Sequence, residues 1–189
     1  MITAQQIWQG IKDGDVHALK ALYQLYHQDL FQYGKKMTKD EPLIEDALQE
    51  TFFSLWKYRR TASLPVAMKP YVLKVFRNEL LRLFKERSAM VYTEESFQFS
   101  FEVSVDEKLV AGEEAATLSA TINKALQQLT NRQREIIYYR FYENLSFEEI
   151  ALLMNMQTRA TYKLSARALA SLREIMGPGL PAVLLLLWT

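Results

Sequence analysis

Most of the chain has apolar residues spaced three or four positions apart, a pattern that predicts amphipathic α-helices. Glycine and proline are scarce, at six and five of 189 residues, and they lie mainly between these segments. In the first half the pattern predicts four helices, over residues 3–12, 15–37, 40–59 and 70–88. Asp15 and Asp40 are suited to cap the second and third helices, because an Asp side chain accepts hydrogen bonds from the first helical turn.

The second half predicts four further helices, over residues 118–129, 130–142, 146–153 and 158–175. Two of them begin with a capping box, in which Ser or Thr is followed three residues later by Glu or Gln. The pairs are Thr130 with Gln133 and Ser146 with Glu149. No repeat of the length found in helical solenoids is present, so the two halves are predicted to be different small domains.

The segment between the two halves, residues 89–117, has a different pattern. Apolar residues occupy every second position from Phe97 to Val105, and a period of two predicts an extended chain. No partner strand is found elsewhere, so this segment is predicted to be a linker that docks when a surface is offered. The predicted fold class is all-α, with two small helical domains joined by a flexible acidic linker, the C-terminal one a helix-turn-helix. The predicted boundaries are a domain at 1–88, the linker at 89–117, a domain at 118–176 and an apolar tail at 177–189.

Charge follows the same division. The net charge of +1 is the sum of +4 over residues 1–90, −6 over residues 91–117 and +3 over residues 118–189. Residues 57–87 alone carry nine basic and two acidic side chains. Because salt screens charges more than about 10 Å apart, a polyanion would respond to each domain rather than to the average. The near-neutral total therefore does not exclude nucleic acid as a partner.

The composition excludes several kinds of chemistry. Cysteine is absent, which rules out disulfides, thiolate metal sites and cysteine nucleophiles. The only imidazoles are those of His17 and His27, so no metal site and no cofactor are predicted. The start of the chain shows no secretory signal, and the longest apolar run, residues 182–188, is too short to span a membrane. A cytoplasmic protein is therefore predicted.

The last two predicted helices are joined by a short turn centred on Asn155. Asn tolerates the left-handed backbone conformation that such a turn needs, and the spacing is typical of a helix-turn-helix. On one face of the final helix Arg159, Lys163 and Arg167 recur every four residues, with Tyr162 beside them. Such a row can reach phosphates and guanine edges in the DNA major groove. The alternative is a helical hairpin whose basic face is simply solvated.

The third predicted helix carries an acidic face with an aromatic ring. Its side chains are Asp46, Gln49, Glu50 and Phe53. This face is interpreted as a docking surface for a basic helical partner. The alternative is again a solvated face, with one exposed ring.

The fourth predicted helix is basic on one side and apolar on the other. Basic residues with aromatic residues nearby suit single-stranded or melted nucleic acid, because unstacked bases bind to aromatic faces. For each of these residues the alternative is a solvated side chain above a buried stripe. The candidate DNA-binding residues here are Lys69, Tyr71, Lys74, Arg77, Asn78 and Arg82.

Residues 46–56 read Asp-Ala-Leu-Gln-Glu-Thr-Phe-Phe-Ser-Leu-Trp. This stretch resembles, in full, the D-x-x-Q-E-x-F-x-x-x-W motif of bacterial RNA polymerase sigma factors of the extracytoplasmic-function (ECF) group. The resemblance implies that Asp46, Gln49 and Glu50 bind the clamp of the core polymerase. It also implies that residues 70–78 meet the minus-ten element and help to melt it, and that the loop 61–69 captures a flipped base.

The C-terminal half resembles the same family in residues 125–135 and 142–151. The resemblance implies that its helix-turn-helix reads the minus-thirty-five element and that the acidic linker threads the polymerase interior. Four positions differ from the family pattern. Asn155 stands in place of a turn Gly, Gln157 in place of a capping Ser, and Tyr162 and Leu164 where basic or small polar residues are common. These differences preserve the fold but leave the base contacts of the final helix open.

The leading hypothesis is a sigma factor that binds core RNA polymerase, directs promoter-specific initiation and is not an enzyme. The implied partners are the core polymerase, promoter DNA and an anti-sigma factor, with no small-molecule substrate. One alternative is a stand-alone helix-turn-helix regulator that binds duplex DNA without polymerase. Another is a helical scaffold with no role on DNA. For the apolar tail, packing on the C-terminal domain, binding a partner and touching a membrane all remain open.

Overall fold

The computed structural model describes residues 3–63, 65, 67–87, 97–104 and 112–177. Regular structure within these ranges consists of eight helices and no strand, which confirms the all-α prediction. The chain divides into two compact units, unit 1 (Met1–Ser96) and unit 2 (Phe97–Thr189). None of the described helices is long and apolar enough to cross a membrane. The predicted apolar tail lies outside the described residues, except for its first residue.

Unit 1 contains four helices, and each begins or ends within a few residues of its predicted position. In chain order they are α1 (Ala4–Asp13), α2 (Val16–Met37), α3 (Glu41–Lys57) and α4 (Met68–Arg87). The side chains of Asp15 and Asp40 accept hydrogen bonds from the backbone N–H groups of His17 and Leu43, so both predicted caps are present. Helices α2, α3 and α4 pack on one another, and α1 packs on α2.

Helix α2 packs closely against α3 and α4. Gly34 of α2 lies at this contact, facing the fully buried side chains of Ile44 and Phe76. A Cβ atom at Gly34 would lie 2.8 Å from Ile44 Cγ2 and 3.2 Å from Phe76 Cζ. The missing side chain therefore allows the helices that carry the acidic and basic faces to pack against one core.

Unit 2 contains the other four helices. They are α5 (Gly112–Gln127), α6 (Asn131–Phe141), α7 (Phe147–Leu153) and α8 (Thr158–Met176), and α8 contacts the other three. Both predicted capping boxes are formed, one by Thr130 with Gln133 and one by Ser146 with Glu149. Each box satisfies backbone N–H groups that have no partner within the helix.

Two features of unit 2 differ from the sequence prediction. Helix α5 begins at Gly112, six residues before its predicted start at residue 118. Residues 97–103, which the sequence places in the flexible linker, lie against α5 and α6 with their apolar side chains buried. The extended conformation was predicted from the alternating pattern, whereas the surface that receives the segment was not. The rest of the predicted linker before α5 lies outside the described residues, apart from Ser104.

Candidate protein and nucleic-acid interfaces

The acidic face of α3 is open to solvent. Gln49 and Phe53 are exposed, with Phe53 at 59%, and the side chains of Asp46 and Glu50 are each about half exposed at 48%. The opposite side of the helix is buried, because Ile44 and Leu48 belong to the core of unit 1. An exposed phenyl ring flanked by carboxylates can bind a partner through both apolar contact and charge.

Arginines from the end of α4 already pair with this acidic face. Arg87 Nη2 forms a short ion pair with Asp46, and Arg87 Nη1 lies 3.5 Å from Asp40 Oδ2. Arg82 Nη2 lies 3.8 Å from Glu50 Oε2. All of these side chains are roughly half exposed, so each pair contributes at most about 1 kcal/mol to folding. The pairs hold the carboxylates in place without burying them.

The structure corrects the expected exposure of Arg77, and it gives Arg82 acidic partners that the sequence analysis did not include. Arg77 is only 2% exposed, because its position on α4 turns it into the core instead of toward solvent. Arg82 is exposed, but its Nε donates to Glu79 at 2.8 Å and its Nη1 to Glu86 at 2.7 Å. Hydrogen bonds from Arg82 to Glu79 and Glu86 raise its pKa, so this cation is fixed within an acidic cluster.

The other predicted residues on this side of unit 1 fall into two groups. Lys69 Nζ lies 3.4 Å from Asp29 Oδ2, and Lys74 is half-buried, so neither is a fully exposed cation. Tyr71 and Asn78 are brought together, because both line a cavity between α3 and α4. The structure therefore brings two of the six predicted residues together, and the sequence did not indicate which of the six would meet.

That cavity has a volume of about 220 Å³. It is smaller than the ~300–1,000 Å³ of pockets for drug-sized ligands. The lining combines aromatic, aliphatic and polar groups. Its residues are Ser54, Leu55, Tyr58, Tyr71, Val75, Asn78 and Glu79.

The polar side of the cavity is held by fixed contacts. Ser54 Oγ donates to Glu79 Oε1 at 3.1 Å, and the second oxygen of Glu79 accepts from Arg82. The ring of Tyr71 meets Trp8 edge to face at 5.6 Å between centroids, and burial raises the pKa of the Tyr71 phenol. Tyr58 is 54% exposed and Asn78 is exposed, so both remain available to a ligand.

The helix-turn-helix of unit 2 is formed by α7 and α8. Asn155 lies in the turn with a φ of 51°, the left-handed conformation predicted for it. Met156 N donates to Ala151 O at 2.8 Å across the turn. Gln157 caps α8 with its backbone only, because its side chain makes no capping hydrogen bond. Thr158 is the first residue of the helix.

All four candidate residues on α8 are exposed on one side of the helix. They are Arg159, Tyr162, Lys163 and Arg167. The other side is buried against the rest of unit 2 through Thr161, Ser165, Ala168 and Leu172. The helix therefore presents three cations and a phenol to solvent from a rigid base.

An aromatic contact orients the tyrosine on this face. The rings of Tyr162 and Phe147 lie 4.1 Å apart between centroids, and the guanidinium of Arg140 lies 5.2 Å from the Phe147 ring. Arg140 Nη1 also donates to Leu145 O at 3.0 Å. The first helix of the motif thus limits where Tyr162 can point, although Tyr162 remains 50% exposed.

Sequence reasoning missed three contributors to these surfaces. Tyr58 and Glu79 line the cavity, and Phe147 supports Tyr162. The run Lys57-Tyr58-Arg59-Arg60 carried a usable signal, because it places an aromatic ring among cations. Glu79 and Phe147 carried no such signal, since their roles depend on which helices pack together.

Two family models and several known proteins match this chain. The family model for sigma-70 region 2 matches residues 22–89, and the model for sigma-70 region 4 matches residues 125–174. The ECF RNA polymerase sigma factor SigX of Bacillus subtilis is 28% identical over 158 residues, covering 82% of this chain and 81% of that protein. NccH of Alcaligenes xylosoxydans, an RNA polymerase sigma factor, is 24% identical, covering 86% of this chain and 89% of its own.

Two solved structures share the fold. CnrH, in complex with the cytosolic domain of CnrY, matches with a TM-score of 0.58 and 18% identity over 91% of this chain and 96% of its own. The sigma factor RpoE of Bartonella quintana, in complex with the anti-sigma factor NepR, matches with a TM-score of 0.56 and 19% identity over 84% and 96%. The chain therefore belongs to the sigma-70 family of RNA polymerase sigma factors, in the extracytoplasmic-function group.

Proposed function

We propose that this sigma factor divides its work among three surfaces. The α3 face (Asp46, Gln49, Glu50 and Phe53) binds core RNA polymerase, the α3–α4 cavity captures a base of the melted minus-ten element, and the α8 face binds the minus-thirty-five element. The observation that carries the proposal is the geometry of α8. Three cations and Tyr162 share its solvent side, while its buried side is fixed in a helix-turn-helix.

The α3 face suits a basic protein partner. It offers two half-exposed carboxylates, an amide and a ring on adjacent turns. In the free chain, Arg82 and Arg87 form ion pairs with the two carboxylates of this face. Because these pairs are weak and solvated, cations of a partner can replace the arginines at a small cost in free energy. Core binding is then an exchange of ion pairs combined with burial of Phe53.

The cavity between α3 and α4 suits a single unstacked base. Flipped bases are bound by stacking on aromatic side chains and by hydrogen bonds to their polar edges. Tyr58 and Tyr71 offer the aromatic faces, and Asn78 offers both a donor and an acceptor. Arg77 takes no part in this proposal, because it is buried in the core.

Asn78→Ala is expected to weaken promoter opening about fivefold or more, since a lost base contact costs about 1–3 kcal/mol. The measurement is transcription from fork templates, each with one abasic site in the minus-ten region. An abasic site at one position of the minus-ten region should lower transcription by the wild-type protein. The same abasic site should not lower transcription by Asn78→Ala any further. Lys85→Ala, exposed on the same helix outside the cavity, is the matched control. A uniform loss across all templates would contradict base capture.

On α8, replacing Arg159, Lys163 or Arg167 with alanine is expected to weaken promoter binding by the holoenzyme. Each lost phosphate contact should reduce the slope of log affinity against log salt by about 1. Arg173→Ala, at the far end of the same helix, should leave the slope unchanged. The assay is holoenzyme binding to duplex promoter at several salt concentrations. Equal slopes for all four variants would place the DNA elsewhere.

The full proposal is tested by mapping transcript starts with purified core polymerase and a supercoiled promoter library. Sequence-selective starts that depend on this chain are expected. Tight, selective binding to duplex DNA by the chain alone would instead indicate a stand-alone regulator. We further propose that the chain acts as a non-enzymatic initiation factor in the cytoplasm, where its polymerase works. An anti-sigma factor is proposed as a regulator, by analogy with the RpoE–NepR complex.

A further inference from the structure

Residues 97–103, here named the strap, form an extended segment on the surface of unit 2. Every second side chain is buried, with Phe97 2%, Phe99 0%, Phe101 7% and Val103 5% exposed. The side chains between them are exposed. Burial of three phenyl rings removes a large apolar area from water, and this stabilises the docked position of the strap on unit 2.

Two asparagines of unit 2 hold the strap backbone. Asn131 accepts a hydrogen bond from Phe99 N at 3.2 Å and donates one to Phe97 O. Asn123 accepts from Val103 N at 2.7 Å and donates to Val103 O at 3.0 Å. An amide side chain offers one donor and one acceptor side by side, as a neighbouring β-strand does. The two asparagines thus replace the missing partner strand at both ends of the strap.

Aromatic rings fill the space between the two clamps. Phe99 and Phe101 lie 5.5 Å and 5.4 Å from the ring of Tyr138, and Phe101 meets Tyr142 edge to face at 5.2 Å. Burial raises the pKa of Tyr142 to about 12, so its phenol stays neutral against the strap. We call the surface made by Asn123, Asn131, Tyr138 and Tyr142 the α5–α6 face.

Docking of the strap limits how far the two units can separate. Ten residue steps join Arg87, the end of α4, to Phe97, and they reach about 35 Å when fully extended. With the strap released, the chain from Arg87 to Gly112, the start of α5, reaches about 85 Å. The strap therefore sets the length of the tether between the units.

The two promoter elements lie farther apart than the chain between the units can span while the strap is docked. The minus-ten and minus-thirty-five elements are separated by about 25 base pairs, or about 85 Å of duplex at ~3.4 Å per pair. Domains of this size have a radius of about 16 Å, so the surfaces of two units centred on the elements stand about 50 Å apart. The chain between the units is too short to span this gap while the strap is docked, at about 35 Å. It is long enough once the strap is released, at about 85 Å.

We propose that the α5–α6 face is a peptide-binding surface that holds the strap in the free protein and releases it when both units bind one promoter. This inference rests on the proposed function, in which unit 1 and unit 2 of one chain occupy the two elements. The docked strap keeps the free chain in a form that cannot bridge them. The released face then offers two amide clamps and an aromatic groove to an extended peptide with the same alternation.

The test compares hydrogen exchange of the Phe99 and Val103 amides in the full chain, free and in the complex with core polymerase and promoter DNA. Exchange should be at least about tenfold faster in the complex, because both amides lose their asparagine partners. The same complexes are assayed for promoter-specific transcripts. Transcription with both amides still protected overturns strap release alone. Absence of promoter-specific transcripts overturns the proposed function, and strap release with it.

Variants test the docked state in the free chain. Phe99→Asp should speed exchange at the Val103 amide at least about tenfold, because a buried charge releases the strap as a unit. Gln98→Asp adds the same charge at an exposed position of the strap and should change exchange less than about twofold. If Phe99→Asp unfolds unit 2, Asn123→Ala removes the two bonds to Val103 and should speed exchange about threefold. No change in Asn123→Ala relative to Gln98→Asp overturns docking.

Discussion

Reversing Asp46 and Glu50 together to lysine is expected to lower the affinity of the chain for core polymerase at least about 100-fold. Each reversal replaces an attraction to a basic partner with a repulsion, and lost interfacial charge contacts cost about 2–5 kcal/mol. Since about 1.4 kcal/mol corresponds to a factor of ten, even the lower limit for two sites exceeds 100-fold. The measurement is competition binding to core polymerase at fixed ionic strength.

The ion pairs with α4 require a control for folding. Lysine at these positions would face Arg82 and Arg87, and that repulsion alone could disturb unit 1. Adding Arg87→Glu to Asp46→Lys restores a pair of opposite charges between α3 and α4. Arg87→Glu also replaces the exposed pair with Asp40 by a repulsion, which should cost no more than about 1 kcal/mol. We therefore expect this double variant to fold and still to bind the polymerase poorly. Recovery of binding would mean that the pair, and not the carboxylate of Asp46, matters to the polymerase.

A second control separates the face from the general charge of the helix. Glu45 is next to Asp46 on α3 and is about half exposed at 47%. Its Oε2 atom lies 3.8 Å from His27 Nε2, so its neighbour is a histidine, whereas the neighbour of Asp46 is an arginine. Glu45→Lys changes the net charge of the helix as much as Asp46→Lys does. Its affinity for core polymerase should stay within about threefold of wild type. Equal losses in Glu45→Lys and Asp46→Lys would show that the polymerase senses only the overall charge of unit 1.

Helices and their starts could be predicted from the sequence because their causes are local. A capping box such as Ser146 with Glu149 involves four consecutive residues, and it forms wherever those residues begin a helix. The left-handed turn at Asn155 has the same origin, since few residue types tolerate that conformation. The spacing along α3 likewise predicted that Asp46, Gln49, Glu50 and Phe53 share one side of that helix, which the structure leaves open to solvent.

The candidate site could be predicted only in part, because its contacts join separate helices. The spacing on α4 placed Arg77 with the other cations, but the neighbouring helices decide that this position belongs to the core. The partners of Arg82 were predictable only in part, because Glu79 and Glu86 lie three and four residues away on α4, whereas Glu50 comes from another helix. The receiving surface of the strap has the same character, since Asn123 and Asn131 become clamps only after α5 and α6 pack.

Replacing Gly34 with leucine is expected to unfold unit 1 or to remove most of its stability. The first added atom would already lie 2.8 Å from Ile44 Cγ2, closer than carbon atoms can approach, and Ile44 and Phe76 are both fully buried. Neither can leave the core without opening a cavity, so α2 must move away from α3 and α4. Overpacking by a single small group costs about 1–3 kcal/mol, and an isobutyl group adds more. Domains are stable by only about 5–15 kcal/mol.

The measurement is urea unfolding of the full chain, followed in unit 1 by the fluorescence of the buried Trp8. Gln32→Leu adds a leucine at an exposed position of α2 and should change the midpoint little. Gly34→Ala should be intermediate, because the better helix propensity of alanine, about 1 kcal/mol, offsets part of the clash. Since α3 and α4 carry the α3 face and the cavity, loss of core binding in Gly34→Leu should follow the unfolded fraction. Wild-type stability in Gly34→Leu would mean that the helices do not cross at this glycine.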